Sequence, residues 1–92
     1  MIKSFRHKGL EELFYEGSKK GIQPKHAKKL LFILDLLETA EVLEDVVFTG
    51  SDLHPLKGDM SGLWAVRVSG NWRVVFSFQQ GNASIVDYLD YH

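Results

Sequence analysis

The sequence predicts a small α+β fold in which two amino-terminal helices pack on one face of an antiparallel β-sheet. Two segments of helical periodicity fill the first half of the chain, and a loop rich in Gly, Asp and Pro follows them. The last third consists of short alternating runs separated by turn residues. Ninety-two residues, 45% of them apolar, suffice for one hydrophobic core. We therefore expect residues 1–92 to form one domain.

The first predicted elements are a short strand over residues 2–5 and a helix over residues 8–16. Gly17 is typical of a helix carboxyl terminus, because glycine adopts the left-handed conformation that ends many helices. The apolar residues of this helix that fall on one face are Leu10, Leu13 and Phe14.

A second helix is predicted over residues 24–38, because Pro24 suits the first helical position. Its apolar residues occur on more than one side, which favours a helix buried on two sides and leaves open a partner-binding face. These residues are Ala27, Leu30, Leu31, Phe32, Ile33, Leu34, Leu36 and Leu37. The long loop that follows, residues 50–62, is typical of a functional segment, since idle loops of this length are uncommon in small domains.

Three strands are predicted over residues 63–69, 72–79 and 83–91. The dipeptides Gly70-Asn71 and Gly81-Asn82 separate them, and both suit tight hairpin turns.

The predicted register brings charged groups of the last two strands together. If each turn is a two-residue loop, Arg73 lies opposite Asp90, and directly paired Cβ atoms are about 5 Å apart. The same register gives two more pairs, Trp72 with Tyr91 and Asn71 with His92. A one-residue bulge would destroy it.

The two faces of the predicted sheet differ in character. We expect the face of Arg73 to be open and the other face to carry the helices. Arg67 and Asp87 fall on the helix side at diagonal positions, where we expect them to pair with each other. The apolar residues assigned to that side are Val74, Phe76, Phe78, Ile85 and Leu89.

The net charge of −1 hides an uneven distribution, since residues 1–30, 31–62 and 63–92 carry net charges of +5, −6 and 0. A general electrostatic attraction to nucleic acid is therefore excluded, and a polyanion would need a local basic patch. The alternative for such a run is a solvated helix face and turn. The lysines of this patch are Lys19, Lys20, Lys25, Lys28 and Lys29.

The absence of cysteine excludes disulfide bonds and thiolate zinc sites. The longest apolar run is far too short to span a membrane, and the first residues have no secretory signal. We expect a cytoplasmic protein with no membrane partner and no cofactor.

Five short motifs occur in order along the chain: Met1-Ile2-Lys3-Ser4-Phe5, Leu53-His54-Pro55-Leu56-Lys57-Gly58-Asp59, Gly62-Leu63-Trp64, Asn71-Trp72-Arg73-Val74 and Asp90-Tyr91-His92. Together they resemble one family, the HigB toxins of the RelE-like superfamily in type II toxin-antitoxin systems. The resemblance implies a RelE-like, microbial-RNase-like fold and cleavage of mRNA in the decoding site of the 70S ribosome. It also implies a HigA-like helix-turn-helix antitoxin, which would link the toxin to operator DNA only indirectly.

The resemblance further implies an active site made of His54, Lys57, Arg73, Asp90, Tyr91 and His92. The chemistry of RNA cleavage explains the set: the 2′-hydroxyl attacks the adjacent phosphate, so one group must accept its proton and another must protonate the leaving oxygen. Arg73 and Lys57 would stabilise the charge on phosphorus.

We assign His92 as the general acid and leave the general base open between His54 and Asp90. Tyr91 would position or stack on the substrate. Trp72 would join the lysine patch in contacting RNA or the ribosome.

Other functions remain open at this stage. Arg73 and Asp90 are also consistent with an ordinary cross-strand ion pair. The chain could be a non-catalytic nucleic-acid-binding module, or an interaction partner of a DNA-binding protein. A metal-dependent nuclease is disfavoured, because the acidic residues do not cluster with histidines in the manner of metal ligands.

Overall fold

The computed structural model describes residues 1–91 and has two α-helices on one side of a four-stranded antiparallel sheet. The elements are α1 (Lys8–Glu16), α2 (Ala27–Thr39), β1 (His54–Pro55), β2 (Trp64–Ser69), β3 (Trp72–Gln79) and β4 (Asn82–Asp90), and the strands lie in the spatial order β1-β2-β3-β4. The predicted α+β fold class is confirmed. Within the described part of the chain, no helix is long and apolar enough to cross a membrane.

Helix α1 begins and ends at residues whose chemistry suits helix termini. The Nδ1 atom of His7 accepts a hydrogen bond from the Leu10 amide at 3.0 Å, which satisfies a donor that has no partner inside the helix. Gly17 follows the last residue with a φ of 73°, the left-handed conformation that glycine adopts without strain. Both predicted bounds of α1 are confirmed.

Helix α2 is also confirmed, although Pro24–His26 form a 3-10 turn before it. One side of α2 is buried in the main core. On the other side, Phe32 contacts Phe48 with ring centroids 5.4 Å apart. The apolar residues on the second side of the helix therefore pack against the segment that follows it.

The outer edge of β4 is covered by the amino-terminal segment. Ile2 and Phe5 form isolated parallel bridges with Ala83 and Val86, so the predicted opening strand is reduced to two bridges. The predicted loop over residues 50–62 contains the edge strand β1 and a 3-10 turn at Gly58–Met60.

The first hairpin departs from the predicted register. Ser69 lies opposite Trp72 as predicted, but the ladder then shifts by one residue. Arg67 consequently lies opposite Arg73. The shift is a local bulge, which the turn dipeptide cannot reveal.

The second hairpin departs from the predicted register twice. Its turn is Gln80-Gly81, with φ values of 52° and 77°, as in the type I′ turns that favour hairpins. Further along, one residue of β3 separates Ser77 from Val75, whereas two residues of β4 separate their partners Ser84 and Asp87. This extra residue forms a bulge, in which Ile85 has a φ of 47°.

These shifts overturn the predicted pairs at the end of the sheet. Arg73 lies opposite Leu89, and Trp72 lies opposite Asp90. The predictions that Arg73 pairs with Asp90 and that Trp72 pairs with Tyr91 are therefore wrong. The predicted pairing of His92 falls outside the described residues.

Two apolar clusters lie on opposite faces of the sheet. The larger one joins the helices to the inner face and includes the fully buried residues Val66, Val74, Phe76 and Val86. The smaller one, on the outer face, consists of Leu56, Ala65 and Val75, with Met60, Leu63 and Leu89 packed against it. The prediction that Leu89 and Ile85 face the helices is wrong, since Leu89 lies in the smaller cluster and Ile85 is 44% exposed.

Candidate functional site

The outer face of the sheet, directed away from the helices, carries most of the predicted site. His54 lies opposite Ala65, and Ala65 lies opposite Val75, so the three side chains share this face. Arg73 lies two residues before Val75 on the same strand and therefore on the same face. The Cα atoms of His54 and Arg73 are about 12 Å apart, because two strand spacings and two residues separate them.

Arg73 is the residue whose environment points most clearly to an anion. Its Nη1 atom donates hydrogen bonds to the carbonyls of Gly70 at 2.7 Å and Trp72 at 3.1 Å. Its Nε atom is buried and has no hydrogen-bond partner in the structure described. Buried donors normally have partners, so this unused N–H is consistent with a ligand-binding role.

His54 is held in one tautomer by its own loop. Its Nδ1 atom lies 2.7 Å from the carbonyl oxygen of Asp52. A carbonyl oxygen can only accept, so Nδ1 carries the proton and Nε2 of the neutral ring keeps its lone pair. Asp52 has a φ of 48°, a conformation that Asp tolerates better than most residues. The loop therefore presents an imidazole nitrogen able to accept a proton.

Lys57 and Tyr91 border the same face. Lys57 is exposed and directly follows Leu56, which packs on the centre of the outer face. The Tyr91 amide donates to the Asn71 carbonyl at 2.8 Å, and its side chain is 43% exposed. The alternation along β4 places Tyr91 on the face of Leu89, and therefore of Arg73.

The structure does not bring Asp90 and Trp72 to the outer face. Their positions face each other across β3 and β4 on the side of the helices. Trp72 is half-buried and stacks on Tyr88 with centroids 4.6 Å apart. His92, the predicted general acid, lies outside the described residues.

The basic patch begins at the end of the sheet that holds Arg73. Lys19, Lys20, Lys25 and Lys28 are exposed, whereas Lys29 lies 4.8 Å from the centroid of the Phe48 ring. Next to Lys25, the ring of His26 meets Trp72 edge-on, with centroids 5.7 Å apart. The start of the second helix therefore lies beside the first hairpin turn.

Arg67 is a candidate that the sequence analysis assigned to a structural role. It is exposed on the outer face, opposite Arg73. The predicted pairing of Arg67 with Asp87 is wrong, since the Asp87 carboxylate lies 3.8 Å from Nε of Arg6. The bulge in β2 reverses the face of Arg67, and no residue type in the strand marks that bulge.

The sequence analysis also missed a buried polar pair beneath the sheet. Nδ1 of His26 and the Tyr88 hydroxyl are 2.6 Å apart. Burial, together with the ammonium of Lys25, lowers the pKa of His26. Burial raises the pKa of Tyr88, and a hydrogen bond with the backbone of Gln23 opposes that change only in part. The available signal was an imidazole on the apolar stripe of the second helix, one turn before Leu30.

The candidate site is an open surface. Across residues 1–91 there is no enclosed pocket, and no group of His, Asp and Glu is arranged to hold a metal ion. An open sheet face with cations around a small apolar centre can bind an extended polyanion more readily than a compact small molecule.

Comparisons with known proteins identify the family of the chain. The family model for the RelE-like toxin of type II toxin-antitoxin system HigB matches residues 3–92. The chain is 41% identical to "Endoribonuclease HigB" of Proteus vulgaris over the full length of both chains. It is 28% identical to "Toxin HigB-1" of Vibrio cholerae serotype O1, over all of this chain and 98% of that protein. The chain therefore belongs to the HigB-like toxins of type II toxin-antitoxin systems, a family whose members act with an antitoxin partner.

Proposed function

We propose that residues 1–92 form one toxin domain that cleaves mRNA in the A site of the ribosome and so inhibits translation. The observation that carries this proposal is the open outer face, on which Arg73, His54 and Tyr91 surround a small apolar centre. Such a face suits a single RNA strand, whose phosphates need cations and whose bases need stacking partners. The similarity to a full-length relative named an endoribonuclease supports the same activity.

The proposed reaction needs no metal. The 2′-oxygen of one nucleotide attacks the adjacent phosphorus, the bond from phosphorus to the 5′-oxygen breaks, and the products are a 2′,3′-cyclic phosphate and a 5′-hydroxyl. A general base accepts the proton of the 2′-hydroxyl, and a general acid donates one to the leaving 5′-oxygen. Cationic side chains stabilise the additional charge on phosphorus.

His54 is the general base in this proposal. The Asp52 carbonyl fixes its Nδ1 proton, so Nε2 is available to accept the proton of the 2′-hydroxyl. Asp90, the other candidate, lies across β3 and β4 from Trp72, on the face opposite Arg73. The observed register therefore favours His54. His92 keeps its proposed role as the general acid.

Arg73 and Lys57 bind the reacting phosphate in this proposal. The planar guanidinium of Arg73, whose Nε has no hydrogen-bond partner in the described structure, matches the geometry of phosphate oxygens. Lys57, exposed beside the outer face, adds a compact charge. Tyr91 would stack on a base next to the cleaved bond.

The lysine patch docks the toxin on ribosomal RNA in this proposal. Lys19, Lys20 and Lys25 lie before the second helix, Lys28 and Lys29 lie in its first turn, and all of them except Lys29 are exposed. Changing Lys19, Lys20 and Lys28 to Glu should lower the affinity for 70S ribosomes in low salt by more than tenfold, as measured by co-sedimentation. The reason is that each phosphate contact contributes to the salt-dependent affinity. Equal sedimentation of the variant and the parent chain would refute the docking role.

The partner of this toxin is proposed to be a HigA-like helix-turn-helix protein, through which the complex would reach operator DNA in the cytoplasm. Co-expression of such a partner should allow growth, and the partner should copurify with the chain. Growth arrest that persists with the antitoxin present would contradict this assignment.

Primer extension on mRNA from cells expressing the chain without antitoxin tests the central proposal. The wild-type chain should give new 5′ ends at codons within the reading frame. Purified toxin, mixed with ribosomes and mRNA, should produce the same ends when a chelator is present, provided that the magnesium required by the ribosomes is kept constant. His54→Gln should reduce the cleavage rate by about 10²-fold or more, the usual contribution of a general base. Lys8→Ala, which removes an exposed cation from the first helix on the other side of the sheet, is the control. No cleavage by the wild-type chain, or full cleavage by His54→Gln, would contradict the proposal.

A further inference from the structure

Arg67 and Arg73 form a pair of like charges on the outer face. They lie directly opposite each other across β2 and β3, where Cβ atoms are about 5 Å apart. Like charges in directly opposed positions destabilise a strand pair. This arrangement therefore costs stability unless an anion lies between or beside the two guanidinium groups.

Both guanidinium groups already converge on one oxygen atom. Nη1 of Arg73 donates to the Gly70 carbonyl at 2.7 Å, and Nε of Arg67 approaches the same carbonyl at 3.4 Å. In the structure as described, the hydrogen bonds of the two guanidinium groups go to neutral backbone carbonyls, those of Gly70 and Trp72. Side chains that reach one carbonyl oxygen can also reach the oxygens of one phosphate.

The donors that remain suit a charged acceptor. A guanidinium has five N–H groups, and the bonds described use only Nη1 of Arg73 and Nε of Arg67. Arg73 is half-buried, and its buried Nε has no hydrogen-bond partner among residues 1–91. Arg67 is exposed. A phosphate carries a negative charge and can accept two parallel hydrogen bonds from one guanidinium, whereas a backbone carbonyl is neutral. A phosphate is therefore the better acceptor for these donors.

We propose that Arg67 is a second phosphate-binding residue, which joins Arg73 in gripping the reacting phosphate of an RNA strand. This inference rests on the proposed function, and it adds to the site a residue that directly contacts the substrate. The bulge in β2 brings Arg67 to this position, since an unbroken ladder would place it on the helix side.

Binding to a single-stranded 2′-O-methyl RNA, which cannot be cleaved, tests the proposal separately from catalysis. Arg67→Ala should weaken the affinity roughly tenfold in low salt, the effect of losing one charged hydrogen bond. The slope of log affinity against log salt should fall by about 0.7, as for one phosphate contact on a single strand. Arg67→Lys should retain the slope with intermediate affinity, and Lys8→Ala, on the helix side of the sheet, should change neither quantity.

The melting temperature distinguishes a binding role from a structural one. Loss of one member of a like-charged pair should leave the Tm of Arg67→Ala unchanged or raise it. A lower Tm that accompanies weaker binding would assign Arg67 to the hairpin structure and overturn the proposal. Unchanged affinity and slope, or no binding by the wild-type chain, would also overturn it. If the wild-type chain binds this RNA but leaves ribosome-bound mRNA intact, the proposed function fails while the binding data still decide the role of Arg67.

Discussion

The two faces of the sheet differ in how fully their side chains are packed and hydrogen-bonded. The inner face is apolar and is covered by both helices, and among the described residues it includes the buried polar pair of His26 with Tyr88. The outer face has only a small apolar centre, with two arginines facing each other beside it. Side chains of the inner face are arranged to satisfy one another. On the outer face, Nε of Arg73 is buried without a hydrogen-bond partner in the described structure, which is typical of a surface that binds a ligand.

The largest expected effect comes from the inner face. Phe76 is fully buried at the centre of the main core, so Phe76→Ala should lower the free energy of unfolding by about 3–5 kcal/mol. That is a large share of the stability of a domain of this size. Urea titration followed by circular dichroism measures the loss. A loss below about 1 kcal/mol would show that the inner face is not the main source of stability.

On the outer face, Arg73→Ala should give the opposite result. We expect a 10²- to 10³-fold loss of the single-turnover rate of cleavage on the ribosome, the magnitude seen when a group that stabilises developing charge is removed. The free energy of unfolding should change by less than about 1 kcal/mol, because Arg73 bonds only to neutral carbonyls in the described structure and its Nε contributes no hydrogen bond there. If activity survives, or is lost only because the variant unfolds, the division between the faces is wrong.

A smaller and pH-dependent effect is expected at the buried polar pair. The folded-state pKa of His26 lies below its unfolded value of about 6.5, so folding favours the neutral ring. Its contribution to stability is fully present above pH 6.5 and decreases as the pH falls below that value.

Urea titrations of the wild-type chain and His26→Gln between pH 8 and pH 5 check this contribution. His26→Gln should cost about 1–2 kcal/mol at pH 8, because the Tyr88 hydroxyl loses its buried partner, and the difference between the two proteins should shrink toward pH 5. A difference that is constant or grows on acidification would show that His26 is not held in its neutral form.

The sequence predicted the helices and strands better than the register in which the strands pair. Periodicity and end signals such as Gly17 placed both helices, because these signals are local. The three long strands followed from alternation and from their turn residues. Register was not predictable in the same way, since it depends on two bulges and on a second turn formed by Gln80-Gly81 instead of Gly81-Asn82. Ile85 is a β-branched residue that local preference disfavours at a φ of 47°.

The candidate site shows the same limit. Motifs identified Arg73, His54 and Tyr91, and the structure places them on one face. The face occupied by Arg67 depends on a bulge that has no marker in the sequence. The His26 and Tyr88 pair joins residues 62 positions apart, and only the folded chain brings them together.

The bulge at Ile85 links the two ends of the polypeptide. Its amide donates a 2.8 Å hydrogen bond to the Ser4 hydroxyl, and the neighbouring Val86 amide donates to the Ser4 carbonyl at 3.1 Å. These contacts stabilise the strained bulge at Ile85, and the bulge determines the face of the sheet on which Leu89 and Tyr91 lie. A genetic screen for variants of this toxin that have lost toxicity should therefore recover changes at Ser4, since they would alter the positions of Leu89 and Tyr91 from the other end of the chain.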